Sequence, residues 1–356
     1  MIVKNESQVI CRCLESVKPL IDYWVIVDTG STDGTQQIIK EFMKDIPGEL
    51  HERPWINFAH NRNEALSLAK ETADYLFFID ADDCMEIDPD FIMPELYLDG
   101  YYININYGDN LNYSRIQFIN ARSDWQWGGV VHEALVGPPG ARYGRLEGIW
   151  MKIIGGGDRS SDPKKFERDA QMLEAALQED PTNTRNVFYL AQSYRDLGEL
   201  HLALNVYERR VALGGWTEEV FWSLYQIALL HERMEHSEAV ILYNYLRAYN
   251  YHSDRIEPLY RLANYYRRKG HYLLGYLIAQ FALEMPVIDQ SLFYEKWMHQ
   301  YGAMLEYSIC AYWIGRYEEA YEASQQMLSD EHLPNHVREC VMKNLTFIIP
   351  RLEAAE

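Results

Sequence analysis

In the first 83 residues, short apolar runs alternate with amphipathic stretches. The runs are "MIV", "WVIVD" and "YLFFID", with the weaker "GELHER" before the last of them, and helix-like stretches lie between the runs at roughly residues 8–17, 32–44 and 58–72. Near-continuous apolar strands separated by helices indicate a parallel sheet covered on both faces. We therefore expect an α/β half whose ligands bind at the carboxyl ends of the strands.

Beyond residue 160 helix formers take over, and a unit of helix, tight turn and second helix repeats. Small residues recur in steps of 37, 35 and 45 residues, and a turn position follows each of them seven places later. The small residues are Ala191, Ala228, Ala263 and Ser308, and the turn residues are Gly198, Glu235, Gly270 and Gly315. Small residues at fixed offsets let paired helices approach closely. The unit resembles tetratricopeptide repeats, whose period is about 34 residues.

Residues 137 to 163 lie between the part with alternating strands and helices and the part with helical repeats. They are rich in Gly and Pro, which is typical of loops and of a connection between domains. We therefore predict an α/β domain over residues 1–160 and an all-α, tetratricopeptide-like domain over residues 161–356. A chain of 356 residues is long enough for two domains.

The formal net charge of −20 argues against nucleic acid or an anionic membrane surface as the main partner. Phosphate chemistry in so acidic a chain calls for a cation. The five cysteines include no C-x-x-C pair, so they indicate neither a disulfide framework nor a zinc site. No apolar run approaches the roughly 18 residues that span a bilayer. These features predict a soluble, cytoplasmic protein.

Two carboxylates stand at the end of the run "LFFIDADD". Asp80 and Asp82 are two residues apart, so in extended backbone both side chains point the same way. Such a pair can hold one hard cation, Mg²⁺ or Mn²⁺, whose coordination is completed by substrate phosphates. The alternative is a solvated acidic turn whose carboxylates only satisfy backbone N–H groups.

The stretch "VDTGSTDGT", residues 27–35, also follows a buried strand and presents an acidic residue, two glycines and several hydroxyls. Asp28 could pair with a base or ribose edge, while the glycines permit close backbone approach. The alternative is that Ser31 and Asp33 cap the helix that follows. Arg62 begins a helix in "FAHNRNEAL", where it could bind a phosphate, orient an aspartate or lie on the surface as an ordinary charge.

Four segments carry a family resemblance. "MIVKNE", "VIVDTGSTDGT", "AHNRNEAL" and "FFIDADD", in that order and spacing, resemble the nucleotide-sugar half of family 2 glycosyltransferases, which have the GT-A fold with its Rossmann-like, mostly parallel sheet. The segment "WQWGGVVHEAL", residues 125–135, resembles the acceptor side of a subgroup to which helical repeats are often fused. The resemblance covers nearly the whole chain.

The resemblance implies a role for each candidate residue. The nucleotide pocket would be lined near Val3, Asn5 and Glu6, with Asp28 holding the base and Ser31 and Asp33 close to it. Arg62 would lie near the diphosphate and Asp80. Asp80 and Asp82 would bind the cation, with Asp80 also facing the ribose or sugar. Glu133, or alternatively Asp124, would be the general base, and His132 would complete the metal shell or orient that base.

The function implied is an inverting, metal-dependent hexosyltransferase. It would move a sugar from a nucleotide-diphosphate sugar to the hydroxyl or other nucleophile of a glycan, lipid-linked or protein acceptor, which the repeats would bind on a concave surface. The alternative is an interaction scaffold whose sugar-nucleotide half has degenerated. A dinucleotide oxidoreductase is disfavoured because no G-x-G-x-x-G follows the first strand, and a nucleotidyltransferase because "VKNESQ" has no glycine.

Overall fold

The structure, a computed structural model, describes residues 1–107, 111–287 and 292–354. The chain divides into two compact units, Met1–Val206 and Tyr207–Glu356. All of the described strands lie in the first unit, together with the helices before residue 206, whereas the described elements of the second unit are helical. The predicted domain boundary at residue 160 marks a change of composition and stays a prediction.

The first three strands form a parallel sheet in the order β1-β2-β3, and a helix follows each of them. In α1 the apolar positions recur at helical spacing and are buried against the sheet, which is why this stretch folds as a helix. The elements are β1 (Ile2–Val3), α1 (Ile10–Val17), β2 (Trp24–Asp28), α2 (Thr35–Phe42), β3 (Gly48–Glu52) and α3 (Phe58–Ala69). The alternation predicted from the sequence is confirmed here.

A second sheet follows and is mixed, in the order β4-β7-β6-β10-β5. Within it only β6 and β10 pair in parallel, and the other neighbours are antiparallel. Its strands are β4 (Tyr75–Phe77), β5 (Asp83–Ile87), β6 (Gly100–Tyr107), β7 (Leu111–Asn120) and β10 (Tyr143–Ile153). The mostly parallel character expected from the family thus holds for the first three strands. Only three residues separate β6 from β7, too few for the crossover that a parallel pair needs.

The core of the second sheet anchors the acidic segment. Ile103, Ile105 and Met151 are fully buried, and Ile79 packs in the same cluster. Asp80 follows Ile79 directly, and its carbonyl accepts a hydrogen bond from Cys13 Sγ at 3.3 Å. A short antiparallel pair is formed by β8 (Gln126–Gly128), which contains Trp127, and β9 (Ala134–Val136), which directly follows Glu133.

The remaining described elements are helical, and among these residues no helix has both the length and the apolar character needed to cross a bilayer. They are α4 (Lys165–Glu179), α5 (Thr184–Leu197), α6 (Leu200–Leu213), α7 (Thr217–Arg233), α8 (Glu238–Tyr251), α9 (Glu257–Arg268), α10 (Tyr272–Leu283), α11 (Ala303–Trp313), α12 (Tyr317–Leu328) and α13 (Asn335–Glu353). Short 3₁₀ turns lie at Lys18–Leu20 and Asp158–Ser161, and a π-helical turn at Met298–Gly302 precedes α11.

The predicted repeats are present. The four aligned turn residues Gly198, Glu235, Gly270 and Gly315 all have positive φ, between 54° and 84°. A left-handed residue ends a helix and lets the next one turn back, and glycine adopts it at little cost. The aligned small residues are buried, with Ala191, Ala228 and Ala263 fully inaccessible. The combination of an α/β domain with an all-helical, tetratricopeptide-like domain is therefore confirmed.

Candidate active site

The stretch after β2 holds the loop that follows β1. Asn5 N donates to Ser31 Oγ at 2.8 Å, and Thr32 N donates to Asn5 Oδ1 at 2.9 Å. Glu6 N donates to Thr35 Oγ1 at 2.9 Å. Asn5 has a positive φ of 56°, which these bonds stabilise. The hydroxyls of "TGSTDGT" therefore shape the site by fixing its neighbouring loop.

Asp33 has the same supporting role. Its carboxylate accepts hydrogen bonds from Ser7 N at 3.0 Å and from Thr35 N and Oγ1 at 3.1 and 2.6 Å. Burial acts to raise the pKa of Asp33, but the hydrogen bonds from Thr35 and Ser7 outweigh it and hold the pKa below its usual range. Asp33 thus joins the start of α2 to the loop after β1, although the N-cap of α2 is Gly34 and this helix has no side-chain cap hydrogen bond.

One carboxylate oxygen of Asp28 accepts hydrogen bonds that orient the side chain, and the other oxygen is unpaired among the described residues. Val3 and Asp28 pair directly across β1 and β2, so both lie at the carboxyl edge of the parallel strands. Asp28 Oδ1 accepts hydrogen bonds from Gly30 N and Ser31 N, both at 2.9 Å, and from Gln36 Nε2 at 3.1 Å. Its Oδ2 is buried and has no hydrogen-bond partner among the described residues. A buried acceptor without a donor calls for an explanation.

Arg62 joins two acidic residues that are distant in sequence. Its Nη2 donates to Asp80 Oδ1 at 2.7 Å, and its Nε donates to Glu133 Oε1 in a short contact. The guanidinium also lies over the ring of Trp127, 5.0 Å from its centroid. Burial acts to raise the pKa of Asp80, but the positive charges of Arg62 and Arg115 prevail and lower it. The structure thus brings together three of the residues predicted for catalysis and donor binding.

Two hydrogen bonds fix the acceptor-side segment to α3. Asn63 Nδ2 donates to Trp127 O at 2.9 Å, and Trp127 N donates to Asn63 Oδ1 at 2.8 Å. Because Asn63 follows Arg62 directly, these two hydrogen bonds fix the position of β8 relative to the Arg62 guanidinium.

Asp82 lies among other carboxylates. A Cβ atom added to Gly157 would lie 2.9 Å from Glu6 Oε2 and 3.0 Å from Asp82 Oδ2, so both carboxylate oxygens lie close to this glycine. Glu6 Oε2 is buried and lacks a partner in the described chain. Burial, and then the charge of Asp82, raise the pKa of Glu6 to about 7, and burial with Asp80 and Asp82 raises the pKa of Asp83 to about 7. A divalent cation prefers oxygen ligands, so several close carboxylates with an unpaired oxygen are suitable to bind one.

Within residues 1–107, 111–287 and 292–354, no three or more His, Cys, Asp or Glu residues form a group that could hold a metal on their own. Oxygens of a bound diphosphate would have to complete the coordination of an ion at Asp80 and Asp82. His132, the predicted third ligand, lies in another environment. Its ring stacks on Tyr189 at 4.2 Å, and its carbonyl accepts from Arg185 Nη2 at 2.8 Å.

His132 is surrounded by positive charge. Partial removal of the ring from water is the first cause that lowers the pKa of His132, and the positive charges of Arg159, Lys165 and Arg185 lower it further, to about 4. The ring is therefore neutral near pH 7. Arg159 also lies over the ring of Phe58, 4.1 Å from its centroid, and pairs with Asp169. In a chain of net charge −20, this is a local concentration of cations next to Glu133 in sequence.

Asp124, the alternative base, lies away from this arrangement. Its side chain is 95% exposed, and its Oδ1 lies 3.8 Å from Lys70 Nζ. None of the hydrogen bonds that join Arg62, Asp80 and Glu133 involves it. Its proposed catalytic role therefore has less geometric support than that of Glu133.

A glycine-rich loop after β10 contacts the carboxylates. Arg12 Nη2 donates to Asp82 O at 2.8 Å and to Gly155 O at 3.1 Å, which ties the loop to the acidic segment. Gly157 N lies 3.4 Å from Asp82 Oδ2. The loop thus reaches the predicted metal-binding residue from 75 positions along the chain.

Replacing Gly157 with Ala is expected to weaken metal-dependent ligand binding by about tenfold, or 1.4 kcal/mol, without unfolding the protein. The added methyl group must displace Glu6 Oε2 or Asp82 Oδ2, and both are ends of movable side chains. Calorimetric titration with Mn²⁺ and a nucleoside diphosphate measures the effect. Gly128→Ala is the matched control, since its Cβ would meet nothing within 4 Å. Equal affinities in both variants would contradict the prediction.

Residues 1–93 match the family model described as glycosyl transferase family 2. This segment spans β1 to β5 and carries Asp28, Arg62, Asp80 and Asp82. The N-terminal part of the chain contains a family 2 glycosyltransferase domain, and residues 1–93 are the part of it that the family model matches. The resemblance predicted from the four segments is confirmed for this part of the chain.

Relatives of the family 2 domain include the SPbeta prophage-derived glycosyltransferase SunS of Bacillus subtilis, 40% identical over 83 residues, which are 23% of this chain and 19% of that protein. The lipopolysaccharide core biosynthesis glycosyltransferase LpsC of Rhizobium meliloti is 31% identical over 97 residues, 27% of this chain and 35% of its own. The chain thus spans about a fifth to a third of these two glycosyltransferases.

A relative that matches beyond the family 2 domain is the TPR repeat-containing protein Synpcc7942_0270 of Synechococcus elongatus. It is 27% identical over 305 residues, which cover 80% of this chain and 74% of that protein. Among solved structures, a tetratricopeptide repeat protein from Parabacteroides merdae aligns with 54% of this chain and 70% of its own, at 19% identity and a TM-score of 0.40.

Several residues at the site are not indicated by any pattern in the sequence. Arg12, Arg115, Gly157 and Arg159 lie outside the segments quoted for the family 2 resemblance, and no local spacing links them to Asp80 or Asp82. Of these four residues, Gly157 is the one with a signal in the sequence, because it belongs to the run "GGGD" within the Gly- and Pro-rich residues 137–163. Glu133 and His132 also lie beyond residue 93, so their roles stay predictions.

Proposed function

We propose that this chain is an inverting, divalent-metal-dependent glycosyltransferase that moves a sugar from a nucleotide-diphosphate sugar to an acceptor hydroxyl. The observation that carries the proposal is the pair of buried, unpartnered carboxylate oxygens, Asp28 Oδ2 and Glu6 Oε2, in the described chain. Leaving a buried acceptor unpaired costs about 1–3 kcal/mol. Their retention beside the carboxyl edge of the parallel strands favours a ligand that brings an N–H donor to one and a cation close to the other.

In this proposal Asp28 binds the base. Gly30, Ser31 and Gln36 hold one carboxylate oxygen, so the other faces a fixed direction and can accept an N–H of a nucleobase. Ser31 and Asp33, with Asn5, act mainly by keeping the loop after β1 in place. Val3 acts through its backbone, because its carbonyl accepts hydrogen bonds from Thr29 N and Thr29 Oγ1 and so joins the end of β1 to the residue after Asp28.

Asp80 and Asp82 would hold Mn²⁺ or Mg²⁺ together with the donor diphosphate. When bound, such a cation neutralises the charge that develops on the departing nucleoside diphosphate. Arg62 holds Asp80 in one orientation and adds a fixed positive charge beside it. Burial first, and then the negative charge of Asp82, raise the pKa of Glu6, and a cation at Asp82 would neutralise the second of these contributions.

Glu133 is the proposed base. In an inverting transfer, the acceptor oxygen bonds to the anomeric carbon as the bond to the diphosphate breaks, and the acceptor proton passes to a carboxylate. Glu133 Oε1 is held by Arg62, which leaves Oε2 to accept that proton. We further propose that the helical repeats select a glycan, lipid-linked or protein acceptor and that the protein acts in the cytoplasm.

A panel of nucleoside diphosphates with Mn²⁺ tests the proposal by thermal unfolding. At 100 times its Kd, a ligand that binds only the folded chain stabilises it by about 2.7 kcal/mol, or about 5–10 °C at roughly 2–4 °C per kcal/mol. We expect one base to give this shift only with the metal present, and Asp28→Asn to reduce it.

Slow hydrolysis of the matching nucleotide sugar would then separate an enzyme from a scaffold with a degenerate site. If no diphosphate and no nucleotide sugar changes the melting temperature with either metal, the proposal is wrong.

A further inference from the structure

Helix α10 is apolar on both sides. Gly275, Tyr276 and Ala279 are buried against neighbouring helices, as expected for the second helix of a repeat. The opposite side presents Leu273, Leu274, Leu277 and Phe281 to solvent within the part of the chain that the structure describes. The helix contains no charged residue from Tyr272 to Leu283. A helix that is hydrophobic all round is normally covered on all sides.

The exposed side continues onto two neighbouring helices. Phe281 contacts Tyr249 of α8 edge to face, with ring centroids 6.3 Å apart, and α8 exposes Tyr243 and Leu246. At the other end, Tyr272 stacks on Trp313 of α11 with centroids 5.0 Å apart. We call this surface the α10 face and define it by seven residues, each 45–64% exposed: Tyr243, Leu246, Leu273, Leu274, Leu277, Phe281 and Trp313.

The α10 face is large for a monomer. Seven large apolar side chains at about half exposure present roughly 700 Å² of apolar surface. The largest patch of a typical monomer covers about 300–600 Å², whereas a stable protein interface buries about 800 Å² on each partner. With a modest polar rim, the α10 face has the area that one standard interface needs.

We propose that the α10 face is the interface of a symmetric dimer of this chain. A two-fold axis sets the same patch against itself, so a patch must be compatible with its own copy. Because α10 carries no charge, packing it against the α10 of a second copy buries no unpaired ion and sets no like charges together. The exposed leucines and phenylalanine supply the interdigitating side chains.

A lipid bilayer fits the α10 face less well. Stable binding of an apolar surface patch to a membrane usually needs attraction between basic residues and anionic lipids. The arginines that end α9 already have carboxylate partners, since Arg267 pairs with Glu306 and Arg268 with Glu232. The net charge of −20 opposes approach to an anionic surface.

Sedimentation velocity of the full chain from about 0.1 to about 100 µM tests the dimer. We expect the mass to rise from 41.8 kDa towards twice that value, and added salt to favour the larger species because it screens repulsion between two acidic copies. Leu277→Glu should weaken the association at least about tenfold, since it places a charge in the contact.

The matched control is Leu202→Glu on α6, another exposed leucine, which lies in the first compact unit and should leave the association unchanged. Equal melting of all three proteins under dilute conditions would show that the variants fold. A chain that stays monomeric at the highest concentration, a dimer that Leu277→Glu does not weaken, or monomers that bind anionic vesicles through this face would each overturn the proposal.

Discussion

Replacing Asp82 with Asn is expected to abolish metal-dependent donor binding and to reduce sugar transfer by about 10³-fold or more, the equivalent of several kcal/mol. The amide keeps the shape of the side chain but not the negative charge that would hold the cation. Stability should not fall, because Asp82 crowds Glu6 and Asp83 and contributes to raising the pKa of each to about 7. Removing its charge should lower both pKa values.

The sign of that stability effect can be measured. A carboxyl group whose pKa is raised by folding stabilises the protein below its unfolded pKa, and this contribution is lost as the pH rises through the folded value. The parent should therefore lose stability between about pH 4.5 and 7 from Glu6. Asp82→Asn should lose less over the same range.

Asp90→Asn is the control, since Asp90 is an exposed aspartate of the same family 2 domain. Thermal unfolding across pH and calorimetric titration with Mn²⁺ and the donor diphosphate cover both parts of the expectation. An Asp82→Asn protein that still shows full Mn²⁺-dependent binding would remove Asp82 from the metal site.

Replacing Glu133 with Gln is expected to lower the transfer rate by about 10²–10⁴-fold while leaving donor affinity nearly unchanged. The glutamine oxygen can still accept a hydrogen bond from Arg62 Nε, so the position of the guanidinium beside Asp80 is kept. Only the ability to take the acceptor proton is removed. Donor affinity and transfer rate are measured for the parent and variant at one Mn²⁺ concentration.

Arg62→Gln provides the contrast. Losing the guanidinium leaves Asp80 and Glu133 without their shared partner. The cost should lie below the roughly 3–5 kcal/mol of a fully buried pair, because the Asp80 side chain is 36% exposed to solvent. This variant should therefore lose stability and donor binding together. If Glu133→Gln transfers at close to the parent rate, Glu133 serves only to position Arg62, and Asp124 becomes the next residue to test.

The helical repeats illustrate what local pattern can predict. Small residues and turn residues recur at fixed offsets, and the structure gives the four turn positions positive φ even where the residue is Glu235. The order of the first strands and helices was predictable for the same reason, since a periodic apolar face must be buried wherever the chain places it. The pairing of strands after residue 83 was not, because it depends on contacts between segments that share no pattern.

What the sequence alone determined is the order of the first strands and helices, the family 2 segments that carry Asp28, Asp80 and Asp82, and the repeating helices. Each of these follows from neighbours within a few residues along the chain. Asp28 does end a strand, whereas Asp80 and Asp82 lie in the connection between β4 and β5 and not at the end of a strand. Only the tertiary structure decided that Arg62 joins Asp80 to a glutamate 71 residues away, and that Gly157 borders the Asp82 carboxylate. Such contacts arise when separate elements pack against one core, and nothing in the local order of residues specifies which side chains will then meet.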